Sequence, residues 1–332
     1  MKWKKVMPLL KQAQELSGRS KADILQDLYK CYKKNYSWAN YFAFDFANNT
    51  SEDYRRSFIC IGRHYPLITK AFNLSSEMTP YFEDKGLFIK NFGDLRGIDA
   101  LDLRQADLSD FQRFVSNHEA AFIKQVDQSG GDGVEHVVLA DLVKDGTKKA
   151  YDDLKAQNFF VIEEVIHQHP HVAQLSLNSV NTLRVVTCRP RANIINIPFV
   201  ASRISVTDSY KDSGSLGGAF CIVDEEGYIR YDYFSYLPIL ETFSENPYTG
   251  FQFKGFQFPF LEEAKALCTE AALRCKEPYI GWDVAITEKG PILIEANRAP
   301  GTNLIQAINQ LPDHRGRLSE LEEALEMKLW IE

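Results

Sequence analysis

Residues 280–301, IGWDVAITEKGPILIEANRAPG, read as two short apolar strands joined at Glu288-Lys289-Gly290. A three-residue loop with glycine last suits a hairpin whose final loop residue has positive φ. Such a loop sets Thr287 opposite Pro291 and, counting outward, Asp283 opposite Glu295. Directly opposed residues hold their Cβ atoms about 5 Å apart. Asn297, two residues beyond Glu295, projects from the same face because strand side chains alternate. The hairpin therefore converges two carboxylates and a carboxamide, oxygen donors suited to Mg²⁺. An exposed polar face on an edge hairpin is the competing reading. The opposite face, Trp282, Val284, Ile286, Ile292 and Ile294, is wholly apolar and argues for a core hairpin. Carboxylates buried there need a cation or donors nearby.

The chain has 332 residues, enough for two or three subdomains. Its 45% apolar and 25% charged residues are ordinary for a globular protein. A net charge of −7 argues against nonspecific nucleic-acid binding, which needs clustered Lys and Arg. No apolar run approaches the roughly 20 residues that cross a bilayer. The N-terminal stretch MKWKKVMPLLKQAQELSG is basic, but its apolar part is too short and broken for a signal peptide. Peripheral contact with a membrane stays open. The six cysteines (Cys31, Cys60, Cys188, Cys221, Cys268, Cys275) form neither C-x-x-C pairs nor a zinc spacing, and read as reduced residues of a cytoplasmic protein.

Residues 1–78 read as a helical, aromatic-rich region, with Tyr41–Phe46 as core. Short β-like runs follow at Ala121–Val126, Val134–Ala140, Phe159–Ile166, Thr182–Cys188, Ile194–Ile204, Ala219–Val223 and Tyr228–Tyr231. Helical patterns lie at Ser109–His118, Tyr151–Gln157, Phe260–Cys275 and Arg317–Trp330, the third with its apolar stripe at 3.6 spacing. The mixture predicts an α+β architecture.

Lys124 precedes Ser129-Gly130-Gly131-Asp132-Gly133, a plausible phosphate cradle in which glycines let backbone N–H groups approach oxygens. A plain hairpin turn fits it equally. There is no G-K-[ST] and no G-x-G-x-x-G. The strand Phe159–Ile166 offers an apolar slot with Glu163 and Glu164 at its end, as an adenine ring requires. His167, His169 and His171 alternate, but Pro170 disturbs the strand and no further ligands support zinc. Arg184 and Arg203 fall on successive strands, and guanidinium groups bind phosphate or carboxylate in two-pronged fashion. Ser213–Gly218 is a second glycine-bearing loop. The chain has no nucleophile elbow and no H-E-x-x-H.

Taken in order, these pieces resemble the ATP-grasp superfamily, and most closely its sugar-transfer-associated branch. NTLRVVT, an arginine strand, a GG loop and GWDVAITEKGPILIEAN carry the likeness, which spans roughly residues 80–310. The resemblance implies an ATP-grasp fold of two α+β lobes clasping ATP. The helical region would cover 1–78, an N-lobe with a glycine lid 79–166, a C-lobe with the magnesium site 167–310, and a C-terminal helix 311–332. Lys85 in FEDKGLF resembles the first ATP-contacting lysine, with Lys90 as competitor, and Lys124 the second. Ser129, Gly130, Gly131 and Gly133 match the lid. Glu163, Glu164, Val165 and Ile166 match the hinge whose backbone recognises adenine. His169, with Gln168 and His171 as alternatives, would meet the ribose. Gly217 and Gly218 match a substrate loop. Arg203 and Arg184 match arginines facing triphosphate and acyl-phosphate, making them catalytic candidates with Lys124. Asp283, Glu295 and Asn297 match the magnesium ligands.

The implied activity is an ATP- and Mg²⁺-dependent carboxylate–amine ligase that forms an amide through an acyl-phosphate. Its substrates would be a small amine and a sugar uronate of a capsular or other surface polysaccharide or its precursor. A sugar kinase and a non-catalytic ATP-binding component of a polysaccharide-synthesis complex are the rival expectations.

Overall fold

The computed structural model describes residues 3–74, 80–126, 133–177, 179–207 and 218–329. Helices between Trp3 and Ala71 bury Val6, Leu9, Leu10, Ile24, Leu28 and Cys31 against a knot of aromatic residues. Tyr41, Phe42, Phe44, Phe46 and Phe58 fill that knot, as expected for core residues. Edge-to-face ring pairs such as Tyr36–Phe46 at 5.3 Å set its geometry.

The first of two sheets is built from β1 (Ala100–Asp102), β2 (Ala120–Gln125), β3 (Val134–Val138) and β4 (Phe159–Glu164), in the order β1-β4-β2-β3. The second joins β5 (Thr182–Arg191), β6 (Ile194–Ser205), β7 (Gly218–Ile222), β8 (Tyr233–Ser235), β9 (Glu241–Phe243), β10 (Tyr279–Thr287) and β11 (Gly290–Asn297). Its order is β11-β10-β5-β6-β7-β8-β9, antiparallel at every pair. The helix Leu261–Arg274 packs on one face with Leu261, Ala264, Cys268 and Ala271 inward. Glu262 and Glu263 in its first turn and Arg274 in its last oppose the helix dipole favourably.

Several expected limits move. Ala140 belongs to a short helix, Leu139–Leu142, and not to β3. Tyr228–Tyr231 forms only isolated bridges, Tyr228 with Gln257 and Ile229 with Val223. The C-terminal helix is confined to Leu318–Ala324. The short strands β1, β8 and β9 have no periodicity that could have announced them, being three residues each.

Strands β5 and β10 are covered on both faces. Leu183, Val185, Trp282 and Val284 point into the main core, while Val186, Cys188 and Tyr279 point into a second cluster on the other side. On that second side the face changes, along the same strands, from apolar to charged at Arg184 and Asp283. All six cysteines are free and buried, consistent with small apolar residues.

Candidate functional site

The β10–β11 hairpin carries the first group. Its turn is shorter than expected: Thr287 pairs with Gly290, and only Glu288 and Lys289 lie between. Gly290 has φ +116°, a backbone conformation that favours glycine. Counting outward from this turn would put Asp283 opposite Ile294. A bulge between Asp283 and Val284 on the β10 side, with Ile294 as the extra residue of β11, restores the pairing of Asp283 with Glu295. The bulge also re-aims the strand. Leu293 and Ala296, three residues apart, both enter the main core, while Glu295 and Asn297 turn to the side of Asp283. Ile292 and Ile294 are therefore not the core-facing pair that strict alternation predicts. Ile292 instead meets Gly97, which has φ +60° and where a Cβ would stand 2.9 Å from the Ile292 Cγ2.

Arg184, Asp283 and Glu295 lie in register across β5, β10 and β11. Arg203, on β6, stands opposite Thr182, one pleat along. Arg184 donates from Nε to Oδ1 of Asp283 (2.5 Å) and from Nη2 to Oδ2 (3.0 Å). Arg203 donates from Nη1 to Oδ2 (2.7 Å). Burial alone would raise the Asp283 pKa, but the two guanidinium groups outweigh it and hold the carboxyl below its ordinary value. Glu295 behaves oppositely. Its side chain keeps contact with water, yet protein surrounds it closely, and this crowding, followed by the charge of Asp283, raises its pKa. Asn297 donates from Nδ2 to Oε1 of Glu295 (3.2 Å). Gly281, opposite Asn297, keeps the corner open: a Cβ there would sit 2.6 Å from the Pro300 Cβ and 2.8 Å from the Arg184 Cδ.

The second group lies on the first sheet. Lys124 of β2 forms an ion pair with the buried Glu163 of β4, whose other oxygen lies 3.0 Å from Nη2 of Arg96. Burial pushes the Glu163 pKa up, but Lys124 and then Arg96 bring it below its ordinary value. Arg96 escaped the sequence reading. It is 1% exposed, and its Nε reaches the Leu293 carbonyl of β11 at 3.4 Å, so one side chain ties β4 to the strand of Glu295 and Asn297. Nothing in the surrounding GDLRGID announces this, because both partners are distant in the chain.

Lys85 opens the helix Lys85–Phe92 and donates to the Gln125 carbonyl (3.1 Å), beside the end of the strand that carries Lys124. Asp84 caps this helix on the Gly86 and Leu87 amides, and Arg104 holds Asp84 with two 2.6 Å bonds. Lys90 is exposed on the same helix. Gly133, at φ +66°, accepts from the Gln125 amide (2.9 Å) and closes the base of the β2–β3 connection. Ser129, Gly130, Gly131 and Gly217 lie outside the described residues. Gly218 opens β7, paired with Ser205.

Beyond β4, Glu164 accepts from the Asp99 amide (2.9 Å), and Val165 and Ile166 continue without regular structure. The chain then meets the second sheet, where the His169 amide donates to the Ile286 carbonyl (2.7 Å). The segment Glu163–Ile166 thus joins the two sheets. The three histidines do not converge. His169 caps the short helix Pro170–Ala173, His171 stacks on Phe256 at 4.5 Å, and His167 is exposed. The Gln168 carboxamide is committed elsewhere, to the Ser179 carbonyl and to the backbone and side chain of Asn181. Asp99, His118 and Glu164 also gather potential ligand atoms within 4.8 Å, but His118 and Asp99 already bond each other at 3.0 Å.

The oxygen set of Asp283, Glu295 and Asn297 fits a hard divalent cation and no soft one. The adjacent lysines and arginines fit a polyanion.

A family model described as sugar-transfer associated ATP-grasp matches residues 80–322. Among solved structures, the chain is similar to the ATP-grasp ligase PsnB complexed with a phosphomimetic variant of a minimal precursor, Mg and ADP. That match is 11% identical, covers 68% of this chain and 53% of that chain, and has a TM-score of 0.40. The D-alanyl-alanine synthetase A of Vibrio cholerae O1 biovar eltor is 16% identical over 76% of this chain and 67% of that chain, with a TM-score of 0.43. The D-alanine-D-alanine ligase of Coxiella burnetii is 12% identical over 75% and 58%, with a TM-score of 0.41. The chain thus spans about half the length of the first of these. No curated protein matches it.

Proposed function

The chain belongs to the sugar-transfer associated ATP-grasp family, and on that premise we propose that it is an ATP-dependent carboxylate–amine ligase. The reaction transfers the γ-phosphoryl group of ATP to a substrate carboxylate and releases ADP. An amine then attacks the acyl carbon, phosphate leaves, and the nitrogen loses a proton to give an amide. The family's association with sugar transfer directs the substrate reading to a uronic acid of a surface polysaccharide or its precursor, joined to an amino acid or related amine.

The observation that carries the reading is the in-register row Arg184–Asp283–Glu295, with Asn297 and Arg203 beside it. Asp283, Glu295 and Asn297 would hold Mg²⁺, which supplies charge neutralisation for the phosphates. Lys124 and Lys85 position and neutralise the same phosphates, exchanging Glu163 and the Gln125 carbonyl for phosphate oxygens. Arg203 and Arg184 face the transferring group, and their donors stabilise the oxyanion that develops as the amine adds. The backbone of Glu163, Glu164, Val165 and Ile166 reads the adenine edge, with His169 nearest the ribose. No side-chain nucleophile is required, in accord with a sequence that offers no nucleophile motif.

The test is ADP release with ATP and Mg²⁺ across a matrix of nucleotide-linked uronic acids and amines, with products read by mass. A product equal to acid plus amine minus water is expected. A phosphorylated hydroxyl, formed without need of an amine, would overturn the ligase reading in favour of a kinase.

A further inference from the structure

The first two helices, which pack on a different core cluster, carry a surface that the catalytic reading does not use. Helix α1 (Trp3–Ser17) and helix α2 (Lys21–Lys33) are joined by only Gly18, Arg19 and Ser20. Both bury one stripe in the same aromatic core: Val6, Leu10 and Ala13 from α1, and Ile24, Leu28 and Cys31 from α2. So short a connection makes them an antiparallel hairpin, and the start of α1 lies beside the end of α2. The outer faces expose Trp3, Met7, Leu16, Tyr29 and Tyr32, from 44% (Met7) to 67% (Tyr32).

Charge is concentrated with them. Residues 3–34 hold eight basic and three acidic side chains, in a chain where acids outnumber bases by 45 to 38. The three acids do not neutralise the aromatic end. Asp27 is drawn inward by Arg55 and Arg19, Asp23 accepts from the Ser20 hydroxyl at the start of α2, and Glu15 sits 3.8 Å from Lys11. At the opposite end, Lys34 pairs with Glu52 and Lys33 lies over the Tyr29 ring, 5.5 Å from its centroid. Lys4 and Lys30 are exposed and follow Trp3 and Tyr29 directly in the sequence.

We infer that this α1–α2 face docks the protein on an anionic lipid surface. Trp and Tyr favour the headgroup level of a bilayer, where an apolar ring and a polar tip are both satisfied. Lysines add attraction to anionic headgroups. Protein interfaces are depleted in lysine, so the same patch is poorly suited to a protein partner. Protruding Met7, one turn from Trp3, has no purpose on a phosphate backbone. The inference stands on this surface and is independent of the reaction proposed above.

The experiment is co-sedimentation of the whole chain with vesicles of phosphatidylcholine alone and of phosphatidylcholine with phosphatidylglycerol, at low and high salt. Binding to the anionic vesicles only, weakened by salt, is expected. Each lysine at such a surface is worth about fivefold in partitioning, so the triple variant K4E/K30E/K33E should bind at least about a hundredfold more weakly. W3A/Y32A should weaken binding in high salt as well as low, because its loss is apolar. Both variants alter exposed positions, and an unchanged melting temperature shows that they fold. Equal binding to neutral vesicles, absence of binding to anionic ones, or full binding by the triple variant would overturn the inference. So would a patch-dependent dimer or nucleic-acid complex formed in place of vesicle binding.

Discussion

Asp283→Ala should destabilise the protein as well as silence it, and the size of the effect follows from its partners. The Asp283 side chain is 5% exposed, Arg184 7% and Arg203 16%. Removing the carboxylate takes the shared acceptor away from two guanidinium groups, of which Arg184 is almost wholly buried. Breaking a buried ion pair from one side costs about 3–5 kcal/mol. At this chain length about 2 °C of melting temperature is lost per kcal/mol, which predicts a fall of about 6–10 °C. Glu295→Gln is the matched control. Glu295 touches water and bonds only Asn297 among the described residues, and its raised pKa means that its ionised form adds no stability at neutral pH, so Glu295→Gln should lower the melting temperature by no more than about 1 °C. Both variants should lose ATP turnover. Asp283→Ala/Arg184→Leu should recover several degrees over the single variant, because one stranded charge is gone. The assay is a circular-dichroism melt at neutral pH without nucleotide or metal, paired with ADP release. An Asp283→Ala protein melting within 2 °C of wild type would refute the buried clamp. Equal destabilisation by Glu295→Gln would refute the distinction between the two acids.

Lys124→Met should reduce kcat/KM for ATP by about 10- to 100-fold, the worth of a charge-assisted hydrogen bond, while Glu163 keeps Arg96; steady-state kinetics decide it. Gly281→Ala forces a methyl against Pro300 and the Arg184 stem, costing about 1–3 kcal/mol and displacing Arg184; a melt and a turnover assay should both register it. Because the Glu295 pKa is raised, a cation that needs its ionised form must release a proton, so Mg²⁺ affinity measured by calorimetry should climb with pH through that raised pKa and flatten in Glu295→Gln. The stability signs differ for the two acids. The lowered Asp283 contributes stability above its unfolded pKa that is lost as pH falls through the folded value. The contribution of the raised Glu295 is fullest below its unfolded pKa and is lost as pH rises through the folded one; acid melts of Asp283→Asn and Glu295→Gln separate them.

Much of the fold was legible because its signals are local. The helix Leu261–Arg274 shows its buried stripe in the 3.6 spacing of Leu261, Ala264, Cys268 and Ala271. Strands β5, β6 and β10 announce themselves as apolar runs, since both faces of the sheet are covered near its centre. Three-residue strands such as β1 carry no period and were invisible. The approach of Lys85 to the end of β2 required the Asp84 cap and its Arg104 clasp, contacts between segments some twenty residues apart.

By itself the sequence determined that Asp283, Glu295 and Asn297 share a hairpin, and that Arg184 and Arg203 ride on neighbouring strands. Side-chain alternation and chain order suffice for that. Tertiary structure decided the rest. A two-residue turn would have left Asp283 facing Ile294, and only the bulge returns Glu295 to it while sending Leu293 and Ala296 into the core. The guanidinium clamp closes across 99 residues for Arg184 and 80 for Arg203. Arg96 spans 197 residues to the Leu293 carbonyl. Ion pairs at such separations are set by how strands stack into a sheet and not by any local spacing, so the charge state of this site is a property of the fold.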